Sequence, residues 1–139
     1  MKNINLVLVL LIIFITSVTF QNKNNDCNIC GEWKWEKNDE KHDFTLQIFQ
    51  KDSFIYGRHC YILDYGNKMD CYLRNDDYSF KIKLLDVKSD SFSIKIKSYY
   101  SKNYGIVNLK FKDKKIYWNI LIIPKGEFYL PTEAILVKR

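Results

Sequence analysis

From Gly31 onward, apolar and polar residues alternate one for one. In Gly31-Glu32-Trp33-Lys34-Trp35-Glu36 both tryptophans fall on one face and Glu32, Lys34 and Glu36 on the other, because successive side chains of a strand point to opposite sides. The same period of two recurs in Phe44-Thr45-Leu46-Gln47-Ile48, Phe80-Lys81-Ile82-Lys83-Leu84, Phe92-Ser93-Ile94-Lys95-Ile96-Lys97 and Val107-Asn108-Leu109-Lys110-Phe111. Each reads as a half-buried antiparallel strand, with one face in the core and one in water. Strands are predicted near 31–37, 43–51, 54–63, 68–74, 78–87, 91–99, 104–112, 115–123 and 132–138, separated by breaks such as Asp64-Tyr65-Gly66-Asn67 and Asp113-Lys114. Helical period is missing throughout, apart from room for one turn around residues 27–30.

Connections this short place neighbours in sequence beside one another in the sheet. Left open, such a meander exposes two edges, an aggregation hazard that closure removes. The expected fold is all-β: a single up-and-down antiparallel β-barrel of roughly eight to ten strands. It would occupy residues 31–139 and is preferred to a two-sheet sandwich, whose crossovers need longer connections.

The first part of the chain has a different texture. Lys2 precedes an unbroken apolar run over residues 6–15, followed by Thr16, Ser17 and Thr19, the pattern of a cleaved secretory signal peptide over residues 1–20. The run falls short of the roughly 20 apolar residues that span a bilayer, so no stable membrane span is expected after cleavage. A retained anchor and lipid attachment at Cys27 are the weaker alternatives. Residues 21–30 read as a polar leader ending in Cys-x-x-Cys, and the expected destination is outside the cytoplasm, in the periplasm or extracellular.

Cys27, Cys30, Cys60 and Cys71 are an even number in a chain read as exported, which points to disulfides with three possible connectivities. Cys60 and Cys71 lie on strands flanking the turn at Tyr65-Gly66. As cross-strand partners they come within bridging distance, which leaves Cys27 to Cys30. A redox Cys-x-x-Cys opens a helix in a βαβ setting, and a zinc site needs two further ligands at short paired spacing. This chain offers neither setting, so no metal and no cofactor are expected.

At 139 residues the chain has room for one domain, and 47% apolar with 16% aromatic residues give it the means to fold. The 22 Lys and Arg against 16 Asp and Glu leave a net charge of +6. Because the lysines alternate singly with apolar residues instead of forming a stripe, they read as a solvated outer face of a monomer and not as a nucleic-acid site. His42 sits in a charged loop, whereas His59 lies in a strand beside Cys60 with access to the interior. No Gly-x-Ser-x-Gly elbow or His-Glu-x-x-His occurs, so no catalytic residues are assigned and an enzyme is not expected. Trp35, Phe44, His59, Phe80, Phe92, Phe111 and Trp118 are the candidate inward residues, as core or as ligand contacts. Both prolines of the chain lie in segment 124–131. There Pro124, Gly126, Phe128, Tyr129 and Pro131 predict a loop that covers a barrel end or offers a contact surface.

Gly31-Glu32-Trp33 resembles the Gly-x-Trp signature of the lipocalins and related calycin barrels. The resemblance implies that Gly31 and Trp33 begin the first strand and that Trp33 closes one barrel end against a basic residue of the last strand, Arg139 or Lys138. Trp33 to Glu36, Gly57-Arg58-His59-Cys60, Gly66-Asn67-Lys68-Met69-Asp70-Cys71 and residues 124–131 together resemble a family of small exported bacterial proteins of unassigned function. The implied function is a non-enzymatic, lipocalin-like binding protein for a small apolar ligand. The alternative is a protein-binding module, an inhibitor or envelope interaction factor, whose interior is filled.

Overall fold

The computed structural model describes residues 27–72, 77–87 and 90–139. The expected signal segment and residues 21–26 of the leader lie outside the described residues. Nine strands follow in order: β1 Gly31–Trp35, β2 His42–Lys51, β3 Phe54–Leu63, β4 Lys68–Cys71, β5 Phe80–Lys83, β6 Ser91–Lys97, β7 Tyr104–Lys112, β8 Lys115–Ile122 and β9 Glu133–Lys138. β4 and β5 are shorter than the alternation predicts, and the second half of the expected fifth strand is a 3-10 turn at Leu84–Asp86.

The tightest hairpins are set by residues that tolerate left-handed backbone. Lys112 and Lys115 are partners across β7 and β8, and the two residues between them, Asp113 and Lys114, have φ of 53° and 61°. That is the primed two-residue turn whose twist matches the strands it joins. Gly57 serves a different need. The ring of Phe80 lies where a Cβ at position 57 would stand, so β5 docks on β3 only over a bare Cα.

All nine strands belong to one antiparallel sheet in the order β4-β3-β2-β1-β9-β8-β7-β6, with β5 sharing the outer edge of β3 with β4. β4 pairs with the Cys60 to Leu63 end of β3, and β5 with the Phe54 to Gly57 end. The sheet curls into a half-barrel and does not form the closed single barrel expected from the meander. The reason lies in the divided edge. Two strands of four residues each stand where one long border would be needed to pair with the seven-residue β6. Across the gap, Lys97 N–H donates to the Ser79 carbonyl at 3.0 Å, and no strand ladder joins β6 to β4 or β5 among the described residues.

The concave side of the curl is packed with side chains. Trp33, Phe44, Leu46, Ile48, Ile55, Ile96, Val107, Leu109, Ile116, Trp118 and Leu136 are all buried, each worth about 1.5–3 kcal/mol of burial for the larger side chains. Phe44 meets Trp118 edge to face at 5.1 Å and Tyr61 at 5.6 Å, while Trp33 meets Phe111 at 6.0 Å. The indole N–H groups are satisfied at opposite ends: Trp33 donates to the Ile29 carbonyl and Trp118 to the Pro131 carbonyl, both at 2.8 Å. Ile29 is itself buried, with Cys27 and Cys30 packed against the core. Residues 27–30 pack against the body, because the turn they form supplies the acceptor that a buried indole requires.

Candidate functional site

The seam left by the unclosed sheet is held by one carboxylate. Tyr61 and Asp70 are partners across β3 and β4. The alternation that points Tyr61 inward therefore also points Asp70 inward, where it is completely buried. One of its oxygens, Oδ1, accepts from Tyr99 N–H at 2.9 Å and lies 3.1 Å from His59 Nε2. The other, Oδ2, accepts from the Ser98 hydroxyl at 2.5 Å and from Tyr129 N–H at 3.3 Å. Asp70 thus ties β4 to the segment after β6 and to the loop 124–131 at once. Burial pushes its carboxyl pKa up, but the hydrogen bonds and charge of His59, with those of Ser98 and Tyr99, outweigh this and hold it below the usual carboxylate range.

A buried Ser, His and Asp in contact invite comparison with a catalytic relay, and the order of bonding differs from one. Ser98 donates to the carboxylate and not to His59, and all three side chains are buried. His59 Nδ1 has no hydrogen-bond partner among the described residues.

Above this latch the tyrosines form a continuous file. The ring of His59 touches Tyr72 at 5.3 Å, Tyr72 touches Tyr99 at 5.9 Å, Tyr99 touches Tyr100 at 5.9 Å, and Tyr100 touches Tyr129 at 5.3 Å. Burial and then the negative Asp70 push the Tyr72 phenol up to about 12. Farther out, Tyr99, Tyr100 and Tyr104 are 61%, 48% and 59% exposed, and Lys68 Nζ stands 5.4 Å from the centre of the Tyr129 ring. Beside them Leu121, Ile122 and Ile123 are also exposed. There β8 outruns β9, whose pairing ends at Asn119, and continues only along β7, with Ile122 beside Ile106.

The loop 124–131 both covers and displays. Leu130 is buried and Phe128 packs on the core, closing the end beneath Trp118. Gly126 turns the chain at a φ of 102°. The Lys125 carbonyl accepts from the Ser101 hydroxyl at 2.8 Å and from the Asn103 amide at 3.1 Å, so this loop and the segment 98–103 are sewn together. Pro124 packs beside Gly105, where a Cβ would collide with its ring, and the Tyr129 hydroxyl bonds to Glu127.

The remaining predicted residues are dispersed. Trp35 is half-buried beside Tyr61, Phe80 lies over Gly57, and Phe92 and Phe111 line the packed interior. Gly31 adjoins the Lys138 side chain, and the cation 5.7 Å from the centre of the Trp33 ring is Lys138. Arg139 instead reaches Glu32 on the outer face at 3.9 Å, because Trp33 and Lys138 are register partners. Both disulfides are present, Cys60 to Cys71 across β3 and β4 and Cys27 to Cys30, and they mark an oxidising compartment. A polar cleft of about 330 Å³ on the outside of β1 to β3 is lined by Glu32, Thr45, Gln47, Arg58, Tyr72 and Arg139 among others.

Sequence reasoning passed over Asp70, Tyr72, Ser98, Tyr99, Tyr100 and Tyr104. Pairing Cys60 with Cys71 already sets Tyr61 opposite Asp70, which puts a carboxylate on the inward face and could have flagged the latch. Among the described residues no three His, Cys, Asp or Glu gather as a metal site, and no helix is long and apolar enough to cross a membrane. Comparison with protein-family models, curated proteins and solved structures finds no match to this chain.

Proposed function

We propose that this is an exported, non-enzymatic protein-binding module that works from its surface, in the periplasm or outside the cell. The observation that carries the reading is the contrast between a concave side filled by Trp33, Phe44, Leu46, Ile48 and Trp118 and a tyrosine file displayed on a fixed seam. Space taken by mutually contacting rings favours surface binding over an enclosed apolar guest. Tyrosine suits an interface, since it brings large, rigid contact area with a polar tip and little side-chain entropy to lose. Asp70 holds the backbone at both Tyr99 and Tyr129, so the file is arranged before a partner arrives, which lowers the cost of association. The calycin resemblance at Gly31 and Trp33 agrees with a binding role of this kind by analogy of fold alone.

The test is site-specific photocrosslinking from positions 100 and 104 in the cells that make the protein, compared with position 110 on the far end of β7. Discrete protein adducts from 100 and 104 that are missing from 110 are expected. Native mass spectrometry of the purified protein supplies the opposing outcome. A retained apolar molecule, with no adducts at the tyrosines, would return the interior to the role of binding site.

A further inference from the structure

We infer that the Cys60–Cys71 bridge is a thiol-opened clasp: its reduction by a dithiol lets β4 detach from β3 and withdraws Asp70 from the seam, while the rest of the sheet stays folded. This goes beyond the surface-binding reading and needs only the geometry of the latch. β4 is four residues long and pairs with β3 alone among the described residues. Three fastenings hold it. The first is the ladder that runs from Cys60 with Cys71 to Leu63 with Lys68, extended by the Tyr72 N–H donating to the His59 carbonyl at 2.9 Å. The second is the bridge itself, and the third is Asp70, with its donors at Ser98, Tyr99 and Tyr129. Cys71 follows Asp70 directly, so the bridge fixes the backbone from which the carboxylate projects.

Two observations favour opening here. The turn that joins β3 to β4 holds two successive residues with side chains, Asp64 and Tyr65, at φ of 51° and 56° before Gly66 at 90°. Left-handed backbone is disfavoured wherever a Cβ is present, and such strain persists only where the surroundings impose it. Tyr65 is exposed, so the imposition comes from the two strands and from the bridge that pins them in register. The bridge is also within reach of a reductant. Its side chains stand on the outer face, since the neighbouring pair Tyr61 and Asp70 points inward. Both cysteines are partly exposed, and Cys60 lines the outer cleft. Cys27 and Cys30, partly exposed as well, pack against the core. In the exchange a thiolate of the dithiol attacks Cys60 Sγ, the Sγ–Sγ bond breaks, and Cys71 leaves as a thiolate that takes a proton from water. The second thiol of the reductant, deprotonated, then attacks the reductant's own sulfur in the mixed disulfide. That step closes the oxidised reductant and releases Cys60, so that two electrons have passed from the dithiol to the bridge.

The test titrates the full-length chain with dithiothreitol, alkylates free thiols with iodoacetamide at each step and assigns them by peptide mass. Far-UV circular dichroism and amide exchange are followed on the same samples. Cys60 and Cys71 should become alkylated at a dithiothreitol concentration at least tenfold below the one that opens Cys27 and Cys30, with the sheet signal retained. At that point amide exchange at Tyr99 and Tyr129, whose N–H groups donate to Asp70, should be at least tenfold faster and hardly change with low urea, the mark of local opening. Leu109 and Ile116 should keep the urea dependence of global unfolding. The double variant C60S with C71S should show the same exchange without reductant. Exchange at Tyr99 and Tyr129 within threefold of the oxidised chain once the bridge is open would mean that the latch holds without it, and would overturn the inference. So would opening of Cys27–Cys30 first, or a C60S with C71S chain that loses its sheet signal, since the bridge would then hold the whole domain. The photocrosslinks at 100 and 104 are formed by the oxidised chain, so their result bears on the surface reading alone.

Discussion

Replacing Asp70 by Asn keeps the shape of the latch and removes its charge. The carboxylate serves two donors on each oxygen, His59 and Tyr99 on Oδ1, Ser98 and Tyr129 on Oδ2. An amide has one acceptor oxygen and an NH2 group that accepts nothing. Whichever way it is turned, one backbone N–H, that of Tyr99 or of Tyr129, faces another donor. Losing a charge-assisted hydrogen bond costs about 1.5–3 kcal/mol, and stranding a buried donor adds about 1–3 more. The expected destabilisation is about 3–5 kcal/mol, in line with breaking other buried charge pairs. For a domain of this size that lowers the thermal midpoint by about 10 °C or more. Urea unfolding gives the free energy, and amide exchange at Tyr99 and Tyr129 shows whether the seam opens first. The pH dependence fixes the cause. Because the folded state holds the Asp70 carboxyl below its usual range, its stabilisation is fully present above the unfolded value near ~3.9 and is lost as pH falls through the lower folded value. The gap between native protein and D70N should narrow only below about pH 4. A variant within about 0.5 kcal/mol of the native protein, or a gap unchanged into strong acid, would refute the account of Asp70 as an ionised latch.

Three further outcomes follow from the same geometry. With its phenol pushed up to about 12, Tyr72 should be the late step in a spectrophotometric tyrosine titration, and Tyr72→Phe should delete that step. Opening the Cys60–Cys71 bridge by C60A with C71A, which releases partners 11 residues apart, should cost on the order of 3 kcal/mol in guanidinium unfolding at unchanged secondary structure. Gly57→Ala should displace Phe80 and cost about 1–3 kcal/mol by overpacking, with nuclear magnetic resonance shifts confined at first to β3 and β5.

Alternation of side chains is a local property, and it located the strands because one face of each is buried. The hairpin at Asp113 and Lys114 was legible for the same reason, since its turn chemistry lies within four residues. Closure was not. Whether β6 finds a partner depends on how β3 divides its far edge between β4 and β5, and period two is blind to that division. Tyr99 lies at the end of the expected sixth strand, past the observed end of β6 at Lys97, and the approach of Tyr100 to Tyr129 is purely tertiary. The cysteines came closest to bridging the two scales. Their pairing sets the register of β4, and from that register follows the inward placing of Asp70.

The place of β9 in the sheet carries a kinetic consequence. It lies between β1 and β8, so among the described residues the strand ladder that joins β1–β5 to β6–β8 runs through β9. During synthesis the earlier hairpins can form before β9 is made, and contacts such as Trp33 with Lys138 then close over a hundred residues in one step. Maturation should therefore be slow relative to helical domains of equal length, and removing residues 133–139 should leave two sheet parts joined across the Asp70 seam instead of a slightly weakened whole.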